Sequence, residues 1–121
     1  MSKLIGIIAA MDEETQAIKK LINNINTVNL FELEFYKGSI NNINCVLVKC
    51  GIGKVNSSRV TQILIDKFDI EYIINVGSAG GIGDNLNYGD IVIGSSLVQH
   101  DFDLTAFGND RGYIDGVRQR I

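Results

Sequence analysis

Four segments carry residues that could do chemistry. The first is the junction Ala9-Ala10-Met11-Asp12-Glu13-Glu14. A carboxylate just past a strand can project into a ligand site, because open α/β sheets bind ligands beyond the C-terminal ends of their strands. A partly desolvated glutamate there is a suitable general base. Equally, three acids in a first turn favour the positive end of a helix, with no catalytic duty. The second is the run Gly77-Ser78-Ala79-Gly80-Gly81-Ile82-Gly83. Its glycines would let main-chain N–H groups approach a ligand or form a tight turn. It is neither GxGxxG nor a phosphate-binding P-loop, and Ser78 lacks the GxSxG setting of a nucleophile. The third, Gly51-Ile52-Gly53-Lys54, reads as a helix-entry turn or a second main-chain cradle. The fourth is His100-Asp101-Phe102-Asp103-Leu104-Thr105-Ala106-Phe107-Gly108. One His and two Asp within four residues, with no distant partner, are poor evidence for a metal. Phe107, before a glycine, reads as an exposed aromatic for an interface or ligand cap, or as a core side chain.

These segments need a scaffold, and the apolar runs between them supply one. Residues 3–9 form an Ile-rich run that predicts a strand buried on both faces. Ala17, Ile18, Leu21 and Ile22 recur at helical spacing after the acids, and Asn23, Asn24 and Asn26 are expected to end that helix. Residues 30–36 and 43–48 are strand candidates, with Gly38 and Asn41-Asn42 between them predicting a hairpin turn. Val60, Ile63, Leu64 and Phe68 predict a second helix, Ile70 to Val76 another buried strand, and Asp90 to Gly94 a final one. Strands alternating with helices give an α/β class with a mixed, mostly parallel sheet flanked by helices.

The chain has 121 residues, with 11 basic and 14 acidic side chains, 45% apolar residues and no proline. That supports one small domain, residues 1–121, with a polar, glycine-rich irregular tail at 109–121. A net charge of −3 and a pI near 5.0 argue against nucleic acid as the main partner. The apolar runs are too short to span a bilayer, and no secretory leader is expected, so the reading is cytoplasmic. Cys45 and Cys50 fit neither a redox nor a zinc pattern and read as reduced, buried thiols.

Taken together the chain resembles the 5′-methylthioadenosine/S-adenosylhomocysteine nucleosidases of the purine nucleoside phosphorylase-like superfamily. The matching stretches are Ile5 to Glu14, Gly51 to Val55, Asn75 to Gly81, Gly89 to Val92 and His100 to Gly108, in the family's order and spacing. The resemblance covers residues 3 to about 112 and only the N-terminal half of the family's domain. It implies a nucleoside phosphorylase-like fold, here truncated, and hydrolysis of the N-glycosidic bond of adenine thionucleosides without metal or organic cofactor. It implies that Glu14 positions and deprotonates the attacking water. Ala10 and Met11 would line the ribose side. Ser78, Ala79 and Gly80 would lie against the nucleoside, with Ile52 nearby. Leu104 and Phe107 would cap the alkylthio pocket across a homodimer. The family's general acid, an aspartate, belongs to the C-terminal half, which a separate chain could supply. Two alternatives stand beside this reading: a purine nucleoside phosphorylase, for which only Lys54 and Arg59 offer cations near the second cradle, and a non-catalytic remnant.

Overall fold

In the computed structural model, residues 4–116 are described. They divide into two compact units, one ending at Gly80 and the other beginning at Gly81.

The first unit is built on strand β1 (Leu4–Ala9), helix α1 (Asp12–Lys19), strands β2 (Asn23–Leu30), β3 (Leu33–Ile40) and β4 (Ile43–Lys49), helix α2 (Lys54–Lys67) and strand β5 (Ile70–Asn75). The strands form one sheet in the order β2-β3-β4-β1-β5. β4, β1 and β5 pair in parallel, whereas β3 is antiparallel to both β2 and β4. Four strands therefore share one direction and β3 alone opposes them, which is the mixed, mostly parallel sheet that the alternation of elements predicts.

β1 lies between β4 and β5, and its alternation divides the core. Leu4 and Ile8 pack with Phe35, Val46, Val48 and Cys50 beneath Val60 and Leu64 of α2. Ile7 packs on the other face with Ile22, Cys45 and Leu47. The pleat sends successive side chains to opposite faces, so the two thiols, both free and buried, belong to different layers. Leu64 of α2 packs over Gly6 of β1: a Cβ there would stand in ordinary contact, 3.5 Å from the Leu64 Cδ1.

Three expectations are corrected. Asn23 and Asn24 do not merely end α1, which stops at Lys19; they open β2. Gly38 is not part of the hairpin turn but lies inside β3, where a Cβ would collide with the Ile22 side chain and the Asn23 carbonyl. The ladder is irregular there, between Asn23 and Asn26, so this glycine serves a close main-chain approach. The β3–β4 turn is Asn41-Asn42 alone, with φ of 49° and 65°. The same two-residue geometry recurs at Phe31-Glu32 between β2 and β3, with φ of 51° and 64°. Asparagine tolerates the left-handed region; phenylalanine and glutamate do so at a cost. The Arg59 Nη2 donates to the Phe31 carbonyl at 2.9 Å and ties this turn to α2.

In the second unit, residues 90–94 do not form the expected strand. A strand exists only through its ladder, and here Ile91 and Ile93 are more than nine-tenths exposed. Among the described residues the unit contains turns, a bridge residue at Ser96 and a 3-10 turn at Thr105–Phe107. Of the tail expected to be irregular, residues 117–121 lie outside the described residues.

Candidate active site

The path of β1 brings the candidate residues together. The Val76 N–H donates to the Ile8 carbonyl (2.9 Å), and the Cys50 N–H donates to the Ala9 carbonyl (2.8 Å). Pairing thus runs one residue past the ends of β5 and β4, so the chain leaves all three parallel strands at one edge of the sheet. At that edge Met11 precedes α1, whose first turn is Asp12-Glu13-Glu14.

Glu14 folds back over its own helix start. Its Oε2 accepts from the Ala10 N–H (3.0 Å) and the Met11 N–H (3.1 Å). Its Oε1 accepts from the Ser78 N–H (3.0 Å) and the Ser78 hydroxyl (3.2 Å), 64 residues away in sequence. A glutamate at the third position of a helix often bonds back to the residue before it. The link to Ser78 is not a capping device. It closes a bridge from the end of β5 to the start of α1.

The ionisation follows from these donors. The Ser78 N–H foremost, then the Ala10 and Met11 N–H groups and the Ser78 hydroxyl, hold the Glu14 carboxyl below its ordinary range, against a smaller upward push from desolvation. Hydrogen bonds to the charged form favour it. Glu14 is therefore an anion at neutral pH. Burial, with the Glu14 charge adding to it, pushes the Cys50 thiol up. Thr15, buried behind Glu14, donates its hydroxyl to the Asp12 carbonyl at 3.0 Å. Asp12 is turned away to a clasp in which the Lys49 Nζ meets both its carboxylate oxygens, at 2.8 and 2.9 Å. The three acids of the first turn thus separate: Asp12 is ion-paired, Glu13 is exposed and Glu14 alone crosses to β5.

Of the residues singled out in the sequence, Ala10, Met11, Glu14 and Ser78 meet. Ala79 and Gly80 continue the chain beyond Ser78, and Ile52 stands on the neighbouring turn with 73% of its surface exposed. Among the described residues no hydrogen bond joins these three to Glu14. The Ile52 turn is a helix entry: Gly51 and Gly53 have φ of 84° and 104°, and the Asn56 Nδ2 donates to the Ile52 carbonyl at 2.8 Å. Leu104 and Phe107 belong to the second unit. The Leu104 carbonyl accepts the Phe107 N–H at 2.9 Å, and Phe107 is 81% exposed. Asp103 organises this turn: it accepts from the Thr105 N–H and hydroxyl (3.0 and 2.7 Å) and from the Arg111 Nη2 (2.8 Å). The Thr105 bonds hold its carboxyl below the ordinary range. Among the described residues no three His, Cys, Asp or Glu side chains converge as metal ligands would.

Sequence reasoning placed Gly77 in a ligand-approach or turn segment but missed its closeness to Glu14: a Cβ there would stand 3.1 Å from the Glu14 Oε1. The available signal was a Gly-Ser pair at a strand end. A cleft of about 800 Å³, lined by Leu4, Asn26, Lys37, Asn44, Lys67 and Asp69 among others, opens at the other end of β1, and no residue of the Glu14 cluster lines it.

A carboxylate held at the ends of parallel strands, with glycine-rich turns beside it, is an arrangement that comparison with known proteins can place. The family model described as the phosphorylase superfamily matches residues 4–120. The chain belongs to the phosphorylase superfamily. Within that superfamily it is similar to proteins named 5′-methylthioadenosine/S-adenosylhomocysteine nucleosidase. The one from Staphylococcus epidermidis is 44% identical over 111 residues, which are 92% of this chain and 49% of the relative. The one from Psychromonas ingrahamii is 47% identical over 110 residues, 91% of this chain and 48% of the relative. The chain spans about half the length of the curated relatives it matches. Two crystal structures superpose closely. The nucleosidase from Neisseria meningitidis, in complex with methylthio-immucillin-A, gives a TM-score of 0.90 at 36% identity, covering 98% of this chain and 51% of the other. That from Colwellia psychrerythraea, in complex with adenine, gives 0.92 at 38% identity, covering 98% and 49%. Among the described residues no helix is long and apolar enough to cross a membrane.

Proposed function

We propose that this superfamily member carries the water-directing side of a nucleosidase site, which hydrolyses the N-glycosidic bond of 5′-methylthioadenosine or S-adenosylhomocysteine and frees adenine, in purine and methionine salvage. The observation that carries this reading is the Glu14 carboxylate, charged and held at four points at the edge where three parallel strands end. Loss of adenine leaves an oxocarbenium-like ribosyl centre. A weak nucleophile suffices against it when aligned, so the work asked of Glu14 is to orient a water and take its proton late. An anion fixed on rigid strand ends suits that task, because its position is set before substrate arrives. The names of the relatives, and the adenine and methylthio-immucillin-A complexes of the solved structures, support the same substrate class.

In this reading Ala10 and Met11 line the ribose, Ser78, Ala79 and Gly80 lie against the nucleoside, and Ile52 stands nearby. Leu104 and Phe107 serve the alkylthio pocket across a cytoplasmic homodimer. The acid that protonates the departing adenine comes from sequence outside these 121 residues, in the same or a separate polypeptide. The competing phosphorylase reading needs cations at the water position. Arg59, the nearest arginine to the second cradle, is engaged with the Phe31 carbonyl, which favours water.

The test is adenine release from methylthioadenosine, with and without phosphate. The chain is assayed alone and mixed with a polypeptide spanning the unmatched half of the Staphylococcus epidermidis relative. Release that does not depend on phosphate and is lost in Glu14→Gln is the expected result. Near-parental release by Glu14→Gln would sink the assignment, and dependence on phosphate would move it to a phosphorylase.

A further inference from the structure

We propose that Gly77 is a positioning residue for Glu14: its missing side chain is what lets the carboxylate reach the Ser78 main chain. The catalytic value of this arrangement rests on the proposed reading of Glu14; the arrangement itself does not.

A Cβ built on Gly77 stands 3.1 Å from the Glu14 Oε1, 3.5 Å from Cδ and 3.7 Å from Oε2. These three nearest atoms all belong to one carboxylate. Gly77 is not among the glycines with left-handed φ, so alanine fits its backbone and the steric demand comes from Glu14 alone. The carboxylate has little freedom to withdraw, because Oε2 is held by the Ala10 and Met11 N–H groups at 3.0 and 3.1 Å. A methyl at residue 77 would therefore be accommodated by swinging Oε1 away from Ser78. A displacement of a few tenths of an ångström lengthens and weakens the 3.0 Å N–H bond and the 3.2 Å hydroxyl bond together. Other glycines of the same run have different surroundings. A Cβ at Gly80 meets nothing within 4 Å, and at Gly81 and Gly83 it meets Leu86. The run thus holds one glycine placed for a carboxylate, within a stretch that looks uniform in sequence.

The decisive experiment is a carbon-13 titration of the glutamate side chains in this chain, with the Glu14 signal assigned by Glu14→Gln. Around Glu14, Asp12 is neutralised by Lys49, Glu13 is exposed, and the Cys50 thiol stays protonated through the acid range. The expected result is that Gly77→Ala raises the Glu14 midpoint toward that of an ordinary glutamate and Gly80→Ala leaves it in place. A folded Gly77→Ala variant with the parental midpoint would overturn the proposal, since a purely architectural glycine would leave the titration unmoved. Should Gly77→Ala not fold, the same substitution is made in a Glu14→Ala background. Recovery of the cooperative unfolding transition supports the proposal. A double variant that still does not fold overturns it, because the methyl would then be meeting something other than Glu14. Adenine release is not read at any step, so failure of the nucleosidase reading and failure of this proposal are separate results.

Discussion

The α2 helix rests on the sheet through few contacts, and Leu64→Ala tests how much they contribute. Leu64 and Val60 are the buried residues of α2, each with no exposed surface. Leu64 lies directly over Gly6, in the strand whose end carries Ala10 and Met11. The substitution removes three carbon groups from a closed environment. At about 0.8 kcal/mol for each buried methylene-sized group, transfer alone costs about 2.4 kcal/mol. The void left over a rigid strand raises this to about 3–4 kcal/mol, inside the usual range of about 2–5. With a urea slope of roughly 1–3 kcal/mol per molar, the midpoint should fall by roughly 1–4 M. Ile65→Ala is the matched control: the same helix, the next residue, but a side chain 53% exposed. It should change stability by no more than about half a kcal/mol. Urea unfolding followed by far-ultraviolet circular dichroism, with the slope checked for constancy, measures both. A Leu64→Ala midpoint shift no larger than that of Ile65→Ala would refute the account of α2 as a helix anchored by its two buried residues.

Other outcomes follow from the same contacts. Because Glu14 titrates below its ordinary value near 4.5 in the folded state, its contribution to stability is complete above that value and is lost as pH falls through the lowered folded value. Glu14→Gln should therefore flatten the acid limb of a stability–pH profile, and an unchanged limb would contradict the hydrogen-bonded anion. Burial pushes both thiols up, so Cys45 and Cys50 should react with a disulfide reagent only on unfolding; rapid labelling of the folded chain would show that the layers open. Replacing Phe31-Glu32 by Asn-Gly should stabilise the chain by roughly 1 kcal/mol or more, since left-handed φ costs a non-glycine residue about 1–2 kcal/mol. A lower melting temperature for that variant would show that the Phe31 side chain contributes packing the turn geometry does not reveal.

How much of this could be read from sequence depends on where the information lies. β1 and α2 were legible because burial on two faces and burial on one stripe leave opposite periodicities, as Ile7 with Ile8 and Val60 with Leu64 illustrate. β2 was not, because Asn23 and Asn24 carry turn propensity: Asn23 pairs with Ser39 of β3, while Asn24 takes a left-handed φ of 55° at the irregularity in that ladder. Gly38 and Gly77 are alike in sequence to any turn glycine. What distinguishes them is a neighbour many residues away, an Asn23 carbonyl in one case and a carboxylate in the other. The segment 90–94 fails in the reverse way: its apolar pattern is that of a strand, but pattern alone provides no ladder. In the site, the segments were visible and their connections were not. Nothing in the spacing of Asp12, Glu13 and Glu14 says which one spans 64 residues to reach Ser78.

Three of the four donors to Glu14 are main-chain amides, from residues 10, 11 and 78. An amide is present whatever side chain its residue carries, proline excepted. The charge of the glutamate is thereby insulated from the identity of the residues that hold it. Ala10 and Met11 can be exchanged for other side chains, reshaping whatever rests against them, without retuning the carboxylate. On the proposed reading of Glu14, Ala10 and Met11, this layout separates what reacts from what selects, and would let a lineage of such proteins change the molecule it accepts through single substitutions while its ionised group stays as it was.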